Sequence, residues 1–145
     1  MLPKYHIILG FLFSLILFFI SPSINILEAS IIFFSSFLID VDAYLIYIFA
    51  KKDFSLVNAI KYLSKKRRKA INLSKKQKAK ISSGIRVLHG IEVLLIILVL
   101  GIFINKLFLF IFIGFLFHLF LDIIEQIYYG FRMSKISIIY DFIKK

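Results

Sequence analysis

Cysteine and tryptophan are absent from these 145 residues, and proline occurs only twice. Without cysteine there is no disulfide framework, no thiolate metal site and no cysteine nucleophile. Acid is scarce as well: eight Asp and Glu stand against nineteen Lys and Arg, a formal net charge of +11. Basic residues are in turn missing where they would be most useful as counter-charges. None occurs from Tyr5 to Ala50, and from Val87 to Phe131 Lys106 stands alone beside Asn105.

What is there is apolar. The chain is 61% hydrophobic with eighteen Phe, and its mean hydropathy is +0.94. Such a composition defines a small all-α integral membrane protein, one transmembrane domain over residues 1–145, and excludes an ordinary soluble domain. Four apolar runs, at about 5–20, 24–50, 87–105 and 107–129, approach or exceed the ~20 residues that cross a bilayer as helix. Tight turns at 21–23 and 105–106 join them into two hairpins. Between the hairpins lies a basic loop, 51–86, with thirteen of the nineteen Lys and Arg, and after them a tail, 130–145. Basic residues gather on the cytoplasmic side, which puts the loop, the tail and both termini there, in a multi-pass protein of the cell membrane. Lys4 and the apolar run after it also fit a signal peptide ending near Ser21 and Ser23, but cleavage would discard His6.

Six of the eight acids, Glu28, Asp40, Asp42, Glu92, Asp122 and Glu125, lie inside these runs, as do His6, His89 and His118. An ionisable group at mid-bilayer costs about 2.5–3.5 kcal/mol on insertion scales and needs a partner, a wet cavity or a metal. On the expected topology every one of these residues except Glu28 falls in the cytoplasmic leaflet, although they come from four segments. With almost no Lys or Arg among them, the cluster calls for a cation.

Helical spacing refines the picture. His118, Asp122 and Glu125 form one stripe, with Gly114 one turn above allowing close approach of a neighbouring helix. His89 and Glu92 share a face of the third run. Asp40 and Asp42 are two apart, nearly opposite on a helix, so either the second run unwinds near Ser35–Asp42 or only one aspartate faces the cluster. Unwound backbone at that depth is tolerated only around a protein-lined cavity.

Imidazoles and carboxylates without sulfur are a ligand set for zinc, with manganese or iron as alternatives. His6, Asp40, Asp42, His89, His118 and Asp122 are the expected ligands. They exceed one tetrahedral shell, so some would orient the imidazoles or serve a second ion. Water activation and polarisation of a phosphoryl or carbonyl oxygen are then available, with Glu92 as the candidate general base. The depth of the site suggests a lipid substrate.

The order of these residues resembles a known family. His6, Phe37-Leu38-Ile39-Asp40-Val41-Asp42, Arg86-Val87-Leu88-His89 and Gly114-Phe115-Leu116-Phe117-His118-Leu119-Phe120-Leu121-Asp122 are similar to the YdjM-like membrane-bound metal-dependent hydrolases. Those proteins carry an N-terminal His, a Leu-Pro-Asp-x-Asp segment, a His-Arg…Thr-His-Ser segment and a closing Gly-x-x-x-His-x-x-x-Asp. The resemblance spans nearly the whole chain. Ile39 stands where the family usually has Pro, and the third element here has one histidine, no serine, Arg86 before it and Glu92 after it. The resemblance implies a metal-dependent hydrolase distantly related to zinc phospholipases.

Other classes use the same residues. A cation or proton transport protein would relay charge through them, but needs polar groups across the outer leaflet, where only Glu28 lies. A redox di-metal bundle uses Glu-x-x-His from two helices, whereas His89-x-x-Glu92 reverses that order. A non-catalytic structural subunit would keep His118 and Asp122 as a buried hydrogen-bonded pair. In the loop, Asp53 is the expected cap of a helix with Leu56, Val57, Ile60 and Leu63 on one face. Lys65-Lys66-Arg67-Arg68-Lys69 follows, and the whole suits a surface of anionic lipid headgroups. No groove-reading motif or aromatic platform supports nucleic acid as a partner. The tail, with Ile136, Ile139 and Phe142, has a similar interfacial pattern.

Overall fold

The computed structural model describes residues 3–78 and 87–131; Arg86 and the tail from Arg132 lie outside them. Among the described residues every regular element is helical. They are α1 (Pro3–Ile20), α2 (Ile26–Leu38), α3 (Val41–Lys51), α4 (Leu56–Ile71), the one-turn α5 (Lys75–Lys78), a 3-10 turn at Val87–His89, α6 (Ile91–Phe103) and α7 (Leu107–Tyr129).

Local chemistry sets the boundaries. Pro3 opens α1, where its fixed φ suits a first helical turn, and the chain leaves the helix at Ser21-Pro22. Asn25 caps α2 through a reciprocal pair. Its side chain accepts from the Glu28 amide at 3.0 Å while the Glu28 carboxylate accepts from the Asn25 amide at 2.8 Å. Lys106 then donates to Glu28 at 3.1 Å, so one carboxylate ties the start of α2 to the turn before α7. At the other end Gly130 closes α7 with φ 68°.

Two helices carry the architecture. α2 packs along α7, α1 covers α2, and α6 covers α7. Close approach depends on glycine at two points. A Cβ at Gly114 would overlap the Ser35 hydroxyl and the Ile32 carbonyl oxygen of α2, and one at Gly10 of α1 would overlap the Ser36 hydroxyl. Ile32 and Ile39 are fully buried, and Phe13 stacks on Phe117 with centroids 4.0 Å apart. The outside is apolar too, as Phe19, Ile26 and Phe103 illustrate, each exposed over about three-quarters of its surface or more.

Two stretches are long and apolar enough to cross a membrane, the 26 residues Ile26–Lys51 taken through the break between α2 and α3, and the 23 residues Leu107–Tyr129. The other two apolar helices are shorter, Lys4–Ile20 and Ile91–Phe103. The third run is the one that departs most from expectation. At 1.5 Å per residue α6 reaches about 20 Å against a hydrocarbon core of about 30 Å. Its first residues, 87–90, form a 3-10 turn and a Gly90 cap instead, and that turn swings His89 into the bundle.

The start of α4 also differs from the sequence expectation. Ser55, not Asp53, is its N-cap, accepting from the Asn58 amide at 3.3 Å. Asp53 sits two residues earlier, accepting from the Tyr47 hydroxyl at 2.5 Å, the Ser55 amide at 2.9 Å and the Asn58 side chain at 3.0 Å. These bonds hold the Asp53 carboxyl below the ordinary aspartate range, the Tyr47 hydroxyl contributing most. Leu56, Val57 and Ile60 are exposed on the apolar face of α4.

Candidate metal centre

The second run breaks at Ile39–Asp40, and the break is what builds the site. Where α2 would continue, the Asp40 amide donates to Phe37 at 3.1 Å instead of to Ser36, one residue further back. The Ser36 carbonyl oxygen is thereby released, and His118 Nδ1 donates to it at 2.7 Å. A carbonyl only accepts, so Nδ1 carries the proton and Nε2 carries the lone pair. His118 is completely buried, with that Nε2 lacking any hydrogen-bond partner.

His89 is fixed in the same sense by a carboxylate. Its Nδ1 donates to Asp42 Oδ2 at 3.0 Å, and the same oxygen accepts from the Leu88 amide at 3.3 Å. His89 Nε2 then faces Asp40 Oδ1 at 3.6 Å and Asp122 Oδ2 at 3.8 Å. Asp40 at the N-cap of α3 and Asp42 in its first turn both reach His89, one on each ring nitrogen.

The remaining donors close the cluster. His6 stacks on His118, ring centroids 4.0 Å apart. Its Nε2 lies 3.3 Å from Asp122 Oδ1 without meeting hydrogen-bond geometry, and both its ring nitrogens are buried without hydrogen-bond partners. His118 Nε2 lies 3.7 Å from Asp122 Oδ2 and 3.9 Å from Asp40 Oδ1. Side-chain exposure is 2% or less for the three imidazoles but 21% for Asp40, so the site opens on the Asp40 side.

These separations are wider than hydrogen bonds and compatible with a cation between the donors. Hydrogen bonds between nitrogen and oxygen fall at about 2.7–3.2 Å. Two donors each about 2.0–2.2 Å from one tetrahedral ion stand about 3.3–3.6 Å apart. The five contacts above span 3.3–3.9 Å. Two overlapping groups, His6 with Asp40 and His118, and His89 with His118 and Asp122, have ligand atoms within 4.8 Å of one another. The buried, unpartnered nitrogens of His6 and His118 fit a divalent ion held by nitrogen and oxygen.

Of the residues singled out in the sequence, His6, Asp40, His89, His118 and Asp122 converge. Asp42 belongs to neither group and stands behind His89, orienting it. Glu92 is half-buried on the first turn of α6 and is likewise in neither group. Glu125 turns away: it accepts from Arg67 Nε of α4 at 2.7 Å, and Arg67 Nη2 completes the ion pair. Arg67 also lies over the Tyr129 ring at 5.7 Å, and Lys78 donates to the Tyr129 carbonyl at 3.1 Å, so the basic segment is anchored on the end of α7 nearest the site. No protein-family model, no curated protein and no solved structure matches the chain.

Proposed function

We propose that this protein is a four-span, multi-pass hydrolase of the cell membrane whose metal site lies in the cytoplasmic leaflet, of the kind its motif order resembles. Both termini and the basic loop are cytoplasmic, and the bond cut is a phosphoester or an acyl ester. The observation that carries this is the convergence of three buried imidazoles and two carboxylates at ligand spacing, two of the imidazoles with their tautomers set from behind. His6, Asp40, His89, His118 and Asp122 would hold the ion, zinc first, with manganese or iron able to use the same donors. A divalent ion there supplies Lewis-acid polarisation of the scissile group and a more acidic water.

The chain's own residues supply the rest. Asp42 and the Ser36 carbonyl keep the His89 and His118 rings in the orientation that presents Nε2 inward. Packing of α1, α2 and α7 buries the three imidazoles and leaves Asp40 the most exposed of the donors. Glu92 is the candidate base: it takes a proton from the attacking water, whose oxygen bonds to phosphorus or carbonyl carbon, the ester bond breaks, and the proton passes from Glu92 to the leaving alcohol oxygen. A relay of cations or protons is disfavoured because Glu28, the one outer carboxylate, is committed to the Asn25 cap and Lys106.

Elemental analysis of detergent-purified protein tests this, wild type beside a His118→Ala, Asp122→Ala double variant with the same monodisperse elution. Stoichiometric zinc, manganese or iron in the wild type and its loss in the variant are expected, followed by activity in a phosphoester and acyl-ester screen. A wild type still metal-free after reloading would overturn the metal site.

A further inference from the structure

A groove of about 210 Å³ runs between α6 and α7 and reaches the metal centre at His89 and Asp122. His89 and Asp122 line its polar part. Leu94 of α6 and Leu116, Leu119 and Phe120 of α7 form an otherwise apolar wall. Leu116 and Phe120 are 47% and 56% exposed, so the groove is open along its side to whatever surrounds the bundle. From Leu116 to Gln126, the two ends of its α7 lining, ten residues of helix cover about 15 Å, which is half of a hydrocarbon core of about 30 Å.

Those dimensions fit one kind of occupant. The volume is below the roughly 300–1,000 Å³ of an ordinary small-molecule pocket, too little for a two-chain lipid body, but the shape suits a single chain lying along a helix through one leaflet. At the polar end, Lys78 donates to the Tyr129 carbonyl and Arg67 pairs with Glu125 while lying over the Tyr129 ring, and both belong to a segment rich in Lys and Arg. A lipid whose head is anionic meets opposite charge there, and a phosphate is the anion a divalent cation also attracts.

We infer that the α6–α7 groove seats one acyl chain of an anionic, phosphate-headed membrane lipid, with the head against the His89–Asp122 end. The fate of the head rests on the hydrolase proposal, whereas the seat does not. The site would thus draw its substrate sideways from the cytoplasmic leaflet, and a soluble phosphoester would bind poorly for want of the chain.

Full-length protein in nanodiscs containing phosphatidic acid with a diazirine midway along one chain is photolysed, and the adducts are mapped by mass spectrometry. Adducts at Leu94, Leu116, Leu119 and Phe120 should exceed those at the exposed Leu95, Ile96 and Ile127 several-fold. Leu119→Trp, which fills the groove, should abolish the excess while Leu95→Trp retains it, both with unchanged metal content. The wild-type map is decisive even if Leu119→Trp does not fold. Labelling spread in proportion to exposure, equal labelling by the same probe on phosphatidylcholine, or displacement by free glycerol 3-phosphate would each overturn the seat as stated. Groove-specific labelling of a protein that binds no metal would instead overturn the hydrolase proposal and leave the seat standing.

Discussion

His118 of α7 donates its Nδ1 proton to the Ser36 carbonyl oxygen of α2 at 2.7 Å, a bond that exists because α2 stops two residues later. The imidazole therefore has two roles, to join the central helices and to present Nε2 inward. His118→Phe keeps an aromatic ring, a somewhat larger one, and removes both. The Ser36 carbonyl left unpaired costs about 1–3 kcal/mol. A lower thermal midpoint together with loss of bound metal is expected; metal retained at wild-type stoichiometry would show that Nε2 is not a ligand.

Asp42 acts on the ion only through His89. Asp42→Asn removes the carboxylate behind the ring without touching the converging donors, and metal affinity should fall about 10–100-fold while the fold persists. Competition with a graded series of chelators reads this directly. An unchanged affinity would deny Asp42 its positioning role.

Metal removal should destabilise. An ion that binds only the folded state adds about 2.7 kcal/mol at a free concentration one hundred times its dissociation constant. Chelation should lower the thermal midpoint of the wild type in detergent and leave that of His118→Phe where it was. Equal shifts in the two proteins would trace the effect to the chelator rather than to the site.

The glycines rank themselves. A Cβ at Gly114 meets the Ile32 backbone oxygen as well as the Ser35 hydroxyl, whereas one at Gly10 meets only the Ser36 side chain. Gly114→Ala should force α2 and α7 apart at a cost of about 1–3 kcal/mol, and Gly10→Ala should cost less because a hydroxyl rotates more easily than a helix shifts. Gly130 has open space beyond its Cα and only its φ of 68° to defend, a strain of order 1 kcal/mol. Chemical denaturation of the three variants gives the order, and Gly114→Ala as the mildest would contradict the packing described.

The link between α3 and α4 should depend on acid. The Asp53 carboxyl is held below the ordinary value of about 3.9 by the Tyr47 hydroxyl above all, then by the Ser55 amide and the Asn58 side chain. A depressed folded value means the contribution is whole above the unfolded value and lost as pH falls through the lower one. Amide protection at Ser55–Ala59 should hold from pH 7 to 5 and decline only below about 4, where unfolded aspartate begins to protonate. Asp53→Asn should already show the weakened state at pH 7.

Much of the site was legible because charge is so conspicuous in an apolar chain. His6, His89, His118, Asp40 and Asp122 announce themselves by lying inside apolar runs, and Gly114 by its place one turn above His118. The Asp40–Asp42 spacing left two readings open, an unwound second run or a single aspartate facing the cluster, and the break at 39–40 matches the first. What stayed hidden depends on contacts far apart in sequence. The Ser36 carbonyl is backbone and has no signature, though the break at Asp40 implies that some carbonyl nearby is released. Arg67 finds Glu125 across 58 residues, which no periodicity foretells. Nor does composition reveal that residues 87–90 turn rather than extend α6, since Val87 and Leu88 are as apolar as the helix that follows.

The donors are strung along the chain from residue 6 to residue 122, on α1, the 39–40 break, the 87–89 turn and α7. This makes the order of synthesis matter. Until α7 arrives, His6, Asp40 and His89 lack the His118 and Asp122 that complete both ligand groups. A chain cut short before α7 therefore loses not one ligand but both groups at once.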